Sequence, residues 1–175
     1  MAGRNPKKMN SEELWNYALR TLAGRAHSTA ELKEKLTRRA ASNADVLETI
    51  AKLRRYGMAD DKKFSEAFAS SRLQNQGFGR LRVLQELRGK RVAPSVAERA
   101  VGLAFEGTDE QELARKFLER KYRGRNLAEF LEEEKNLASA YRRLRTAGFS
   151  ANAALSALKE RSKRVDIEEP FEEGE

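Results

Sequence analysis

The sequence predicts an all-α protein, an elongated array of three tandem three-helix repeats of helix-turn-helix type. Three observations predict it. Apolar residues recur every three or four positions almost throughout, and no alternating strand pattern stands out. Side chains suited to capping stand just ahead of several of these stripes. One turn-centred block occurs three times: "AHSTAELKEKL" (26–36), "GFGRLRVLQEL" (77–87) and "GFSANAALSAL" (148–158).

The stripes come in order. Leu14, Ala18, Leu19 and Leu22 form the first, Leu32 and Leu36 the second, and Val46, Leu47, Ile50 and Leu53 the third. Phe64, Ala67 and Phe68 follow, then Val83, Leu84 and Leu87, then Val96, Ala97, Ala100, Val101 and Ala104. Leu113, Ala114, Phe117 and Leu118 come next, then Leu137, Tyr141 and Leu144, and last Ala154, Leu155 and Leu158. That pattern predicts nine helices of about three turns each. Ser28, Asn43 and Asp60 are the expected start signals, and Ser28 with Glu31 has the spacing of a capping box. Thr108 and Glu112 mark another boundary, Ser150 opens the last helix, and Pro94 suits a first turn.

In the repeated block a small residue leads (Ala26, Gly77, Gly148), followed by a ring (His27, Phe78, Phe149) and then Ser28, Gly79 or Ser150. The predicted object is a helix-turn-helix pair with a ring plugging the turn. The copies start 51 and then 71 residues apart, so the third is interrupted, and the acidic "EFLEEEK" (129–135) lies in the interruption as a loop or a helix extension. Short units of this kind bury their apolar faces on their neighbours in series. The expected division is a leader over 1–10, helical repeats over 11–57, 58–106 and 107–164, and an acidic disordered tail over 165–175.

The 175 residues are 39% hydrophobic and 35% charged. Cysteine is absent, which leaves no disulfide framework or thiolate chemistry. No apolar run reaches the roughly 18 residues that a membrane span needs, and "MAGRNPKKMN" lacks a signal-peptide core. Charge is unevenly spread. Residues 1–165 carry 35 Lys/Arg against 21 Asp/Glu, or +14, and the last ten, "DIEEPFEEGE", carry six acids and no base, or −6. A basic body calls for a polyanionic or acidic partner.

Catalytic material is scarce. The one histidine, His27, holds the turn position that Phe78 and Phe149 hold elsewhere, with no nucleophile elbow beside it. Asp60 and Asp61 are the adjacent aspartates in "YGMADDKKFSEAFASSR" (56–72). Neighbouring residues on a helix point about 100° apart, so the pair reads as an N-cap and a dipole-complementing first-turn acid, not as a metal site. "GFGR" (77–80) opens a helix without the lysine-bearing nucleotide loop. Basic clusters are more informative. Arg72, Arg80, Arg82, Arg88, Lys90 and Arg91 form one, Arg142, Arg143 and Arg145 a second, and Lys33, Lys35, Arg38 and Arg39 a third. Clusters on successive units make a stripe that binds phosphates in a salt-dependent way.

"AHSTAELKEKL", "YGMADDKKFSEAFASSR", "GFGRLRVLQELRGKRV" and "LRTAGFS" resemble, in the same order over about residues 14–160, the regulatory protein RecX family. The resemblance implies a modular helical protein, not an enzyme and without a cofactor, acting in the bacterial cytoplasm. It also implies a regulator of homologous recombination and the SOS response in DNA repair. Such a protein binds RecA–DNA filaments and inhibits RecA ATPase, strand exchange and co-protease activity. DNA is expected as a weak, salt-dependent second partner, with no membrane association and the chain a monomer. The sequence departs from the family in having Arg91 where a glycine is common after "QEL", and in "EFLEEEK" and the acidic tail.

The expected mechanism has the array lodged along the filament, bridging protomers and hindering the movements that accompany nucleotide hydrolysis. The expected contact residues are Arg72, Arg80, Arg82, Arg88, Lys90, Arg142, Arg143 and Arg145. The tail is expected to compete with DNA for the stripe. The alternatives are a helix-turn-helix regulator acting directly on DNA, with one helix in the major groove, and a helical adaptor for an acidic protein.

Overall fold

A computed structural model describes residues 8–162, and these are helical apart from turns and one isolated bridge, Met9 to Ala40. The helices are α1 (Ser11–Gly24), α2 (Thr29–Arg39), α3 (Asn43–Arg55), α4 (Asp61–Ser71), α5 (Arg80–Gly89), α6 (Pro94–Ala104), α7 (Glu110–Lys121), α8 (Leu127–Phe130), α9 (Glu134–Thr146) and α10 (Ala151–Arg161). A π-helical turn, Arg72–Gln76, follows α4. The expected acidic tail and most of the expected leader lie outside the described residues. No helix among the described residues is long and apolar enough to cross a membrane.

Among the described residues, ten helices stand where nine stripes predict nine. The extra one is α8, within the stretch that interrupts the third copy. Four residues are too few to show a helical period, but Leu127 and Leu131 are spaced to reach one side. Leu131 is fully buried, and the Tyr122 and Phe130 rings meet at 4.9 Å. Two start signals shift by one residue. Ser42, not Asn43, caps α3 by accepting from the Asp45 N–H at 3.1 Å, and Asp109, not Thr108, caps α7. The remaining signals hold: Ser28 and Glu31 close a capping box, Pro94 is the first residue of α6, and Ser150 caps α10.

The chain divides into two compact units. The first holds the residues up to Phe68 together with Leu87–Ala100, and the second holds Ala69–Glu86 together with the residues from Val101 on. The first is built on α1, α2 and α3, whose Leu14, Ala18, Leu32, Leu36, Val46, Ile50 and Leu53 form one core. In the second, α7, α9 and α10 surround Phe117, Leu118, Leu137, Leu144, Phe149 and Leu158. Phe149, the ring of the third turn, is fully buried edge-on to Phe117 with centroids 5.6 Å apart. Burial of that size is worth roughly 3 kcal/mol per ring.

Asp60 caps α4, accepting from the Lys62 and Lys63 N–H groups at 2.9 and 3.1 Å. Asp61 has a second role that its first-turn position does not reveal: its Oδ1 accepts the Thr29 N–H at 2.7 Å, satisfying a donor at the start of α2. The Ser28 hydroxyl in turn donates to the Lys90 carbonyl at 2.7 Å. Both aspartates therefore serve helix N-termini, one on its own helix and one on a neighbour.

The three turn copies do not share one backbone. Gly77 and Gly148 have left-handed φ of 57° and 92°, whereas α1 ends through an extended Arg25. Arg91, at φ 56°, is the one non-glycine in that region among the described residues. It closes α5 with the Val92 N–H bonding to the Leu87 carbonyl at 3.3 Å, a left-handed cap that glycine adopts without strain. Its guanidinium only brushes Glu34, at 3.5 Å and well exposed. Arg91→Gly is therefore expected to raise stability by about 1 kcal/mol, measured by urea unfolding. A loss of stability would show that the ion pair outweighs the strain.

His27 is 5% exposed, and its Nδ1, 3.6 Å from a Glu31 carboxylate oxygen, makes no hydrogen bond. Burial lowers the imidazole below its ordinary 6.5, helped by Arg25 and Lys35 and opposed by Glu31. Burial pushes the Glu31 carboxyl up, but the Lys90 ammonium, 3.0 Å away, and the Ser28 N–H outweigh it and hold it below the usual range. Both groups have depressed values in the folded state. Each thus contributes stability that is present above its unfolded value and lost as pH falls. Between pH 7.5 and 5.5 the histidine dominates, so the urea midpoint is expected to fall over that window. His27→Phe, the residue type of the other two turns, should flatten the dependence and add about 1 kcal/mol at pH 5.5. An unchanged slope would remove His27 as its cause.

Candidate functional site

In the second unit, Phe78, Arg82, Phe117, Lys121, Ser139, Arg142, Arg143, Thr146 and Ala147 line an open cleft of about 580 Å³. Its walls come from the turn before α5, the last turns of α7 and one face of α9. Among the described residues, four cations line it and no carboxylate does. Ser139, Arg142, Arg143 and Thr146 fall on one face of α9 by their helical spacing. Arg82 lies 3.9 Å over the Phe78 ring, and Lys121 lies 5.6 Å from the centre of Phe117. The floor is thus aromatic and the rim cationic, an arrangement suited to an extended polyanion with apolar groups or bases between its charges.

Arg82 is held, not loose. Its Nε donates to Glu86 at 3.1 Å and its guanidinium to the Thr146 carbonyl at 3.3 Å. Glu86 also takes Arg72 at 2.6 Å, so one carboxylate orients two of the expected contact residues. Arg143 stacks toward Tyr122 at 5.4 Å.

The position of this wall depends on an unusually close backbone approach. The Gly79 N–H donates to the Ala147 carbonyl at 2.8 Å, and the Leu81 N–H donates to the Gly148 carbonyl at 3.2 Å. In the other two copies a serine hydroxyl accepts a first-turn N–H, Ser28 from Glu31 and Ser150 from Ala153. At α5 a carbonyl from the α9–α10 turn does that work, and glycine at 79 makes room for it.

The expected contact residues fall into distinct settings. Arg82, Arg142 and Arg143 meet at the cleft, and Arg72 joins them through Glu86. Arg80, at the start of α5, lines a separate recess with Phe105, Glu110 and Ser150. The Arg145 guanidinium donates to the Phe149 carbonyl at 2.8 Å and serves the end of α9. Arg88 and Lys90 belong to the first unit. Arg88 is exposed, whereas Lys90 is committed to Glu31 and lies 5.9 and 5.4 Å from the Phe64 and Phe68 rings. Lys121 is the cleft cation that the basic clusters omit. Lys121 sits in the run "ERKYRGR" (119–125), whose density of bases was the available signal.

Fold and site together define a helical protein of short tandem domains that presents a cationic, aromatic-floored surface. The sequence profile for RecX, second three-helix domain, matches residues 60–101, and that for RecX, first three-helix domain, matches 15–53. Regulatory protein RecX of Vibrio parahaemolyticus is 31% identical over 141 residues, covering 81% of this chain and 86% of that protein. That of Chlorobaculum tepidum is 32% identical over 108 residues, covering 62% and 65%. That of Halorhodospira halophila is 39% identical over 88 residues, covering 50% and 54%. The aligned stretch thus spans only about half to two thirds of some of these relatives. The crystal structure of RecX from Lactobacillus salivarius superposes with a TM-score of 0.68 at 18% identity, over 86% of this chain and 96% of that one. A second RecX crystal structure gives 0.66 at 18%, over 82% and 70%. The structures establish the fold. The chain belongs to the RecX family of regulatory proteins.

Proposed function

We propose that this protein regulates the RecA recombinase by binding RecA–DNA filaments and restraining ATPase, strand exchange and co-protease activity. It would act thereby on recombination, DNA repair and the SOS response, without catalysis of its own. Membership of the RecX family is the observation that carries the reading, and the cationic cleft supplies a surface for it. The expected division into three helical repeats over 11–57, 58–106 and 107–164, working as a monomer in the cytoplasm, is part of the same proposal. Arg82, Arg142 and Arg143 act together at the cleft, with Arg72 set beside them by Glu86. Arg80, Arg88 and Arg145 contribute from other positions, and Lys90 mainly holds its own unit together. DNA contact is weak and electrostatic, so it falls steeply with salt.

Cosedimentation with RecA, single-stranded DNA and a non-hydrolysed ATP analogue tests the reading. Pelleting that requires the assembled filament supports it. Equal retention on DNA without RecA points to a direct DNA regulator, and retention by RecA regardless of DNA points to an adaptor.

A further inference from the structure

The run "KLRRYG" (52–57) closes α3 and belongs to none of the three basic clusters. Lys52, Arg54 and Arg55 lie in the last turn of α3, and Tyr56 is the residue at its C-terminal cap. By their spacing Lys52, Arg55 and Tyr56 share one side of the helix, and Arg54 points elsewhere. The Tyr56 ring lies 6.0 Å from the Trp15 ring of α1, tilted by 50°, and the Lys52 Nζ lies 4.2 Å from the centre of the Trp15 ring. Trp15 is partly buried against the core of the first unit, so packed side chains back this ring pair. Tyr56 is 63% exposed and presents the rest of its surface to solvent, beside an exposed Arg55. Basic residues in a last turn complement the helix dipole, but that role needs no ring beside them. Among the described residues, the ion pairs of the first unit gather on Glu31 and Glu34 and do not use Lys52 or Arg55. Glu48, one turn back from Lys52, bounds the patch on that side. An aromatic face between cations that lack carboxylate partners suits both parts of a nucleotide, the base by stacking and the phosphate by charge. Bases in a duplex are stacked on one another, so a single strand is the form that can use the ring.

We propose that Trp15, Lys52, Arg55 and Tyr56 form a stacking site for single-stranded nucleic acid on the first unit. A base lies on the Tyr56 ring, which Trp15 braces, and the flanking phosphates meet Lys52 and Arg55. Stacking makes this contact selective for unpaired bases, which charge alone cannot do. The site is built from residues of the first unit and stands on their geometry, not on the filament reading.

Trp15 is the one tryptophan of the chain, so its fluorescence reports the site directly. The full chain is titrated, without RecA, with an oligothymidylate of about 15 nucleotides at about 50 mM salt. Saturable quenching of Trp15 is expected. Tyr56→Ala should raise the Kd about tenfold with unchanged helical circular dichroism, whereas Tyr56→Phe keeps the ring and should stay within about twofold of the parent. Arg55→Gln should lower the slope of log Kd against log salt by about 1. Arg54→Gln removes the same charge from another side of α3 and should lower the slope less. An absent quench, an equal loss from Tyr56→Ala and Tyr56→Phe, or equal slopes for the two arginine variants would overturn the proposal. Quenching by a duplex of the same length at equal affinity would do the same, by making backbone charge the whole attraction. Equal quenching by polyglutamate would make an acidic protein segment the occupant and overturn it too.

Discussion

Gly79→Ala is expected to destabilise the protein by about 3 kcal/mol, the upper end for forcing atoms into a packed site. A Cβ at 79 would lie 2.3 Å from the Gly148 carbonyl oxygen, 2.4 Å from its carbon and 2.7 Å from the Phe149 nitrogen. All three are backbone atoms, so no side chain can swing aside. The carbonyl that would be pushed away is the one accepting the Leu81 N–H at 3.2 Å, so the start of α5 loses its acceptor as well. Gly148→Ala meets the same surface from the other side, with a Cβ 2.3 Å from the Arg82 nitrogen and a φ of 92° besides. The two variants damage one contact, so the double variant should cost well under the sum. Gly89→Ala is the control, because a Cβ there meets nothing within 4 Å. Urea unfolding of all four chains reads the outcome, and a loss at Gly79→Ala below about 0.5 kcal/mol would mean that this approach is slack.

The second large effect concerns binding. Arg82→Glu with Arg142→Glu and Arg143→Glu is expected to weaken cosedimentation with RecA–DNA filaments by about 30-fold or more and to abolish RecA inhibition. Each reversal replaces an attraction by a repulsion at the cleft rim, worth on the order of 1 kcal/mol apiece at an exposed site. The deficit should shrink as salt rises. Unchanged RecA inhibition by the triple variant would sink the assignment of the cleft. Lys90→Glu separates binding from folding: it sets a carboxylate against Glu31 within the first unit, so its main effect is expected on the urea midpoint.

Much of the helical framework was legible because its signals are local. Leu14, Ala18 and Leu32 are fully buried as their spacing predicts, and Ser28, Asp60, Pro94 and Ser150 stand at helix starts. Displacements at Ser42 and Asp109 are one residue each, since several capping-competent side chains sit side by side there. α8 escaped because a four-residue helix has no period to detect. The candidate site was legible in kind but not in membership. Runs of arginine advertise a basic surface, yet they do not say that Lys90 turns inward to Glu31 or that Lys121 joins Arg142 and Arg143.

The opening motif of α4 draws the dividing line. Composition and pattern alone were enough for an all-helical protein of repeated turns, for its basic character, and for Asp60 as a helix start, because periodicity and capping act over three or four residues. The partner of Asp61, the carbonyl that replaces a serine cap at Gly79, and the gathering of Phe78, Lys121 and Arg143 around one cleft join residues 22 to 69 positions apart. Such pairings depend on which helix faces meet once cores close, and no local pattern in the chain records that choice.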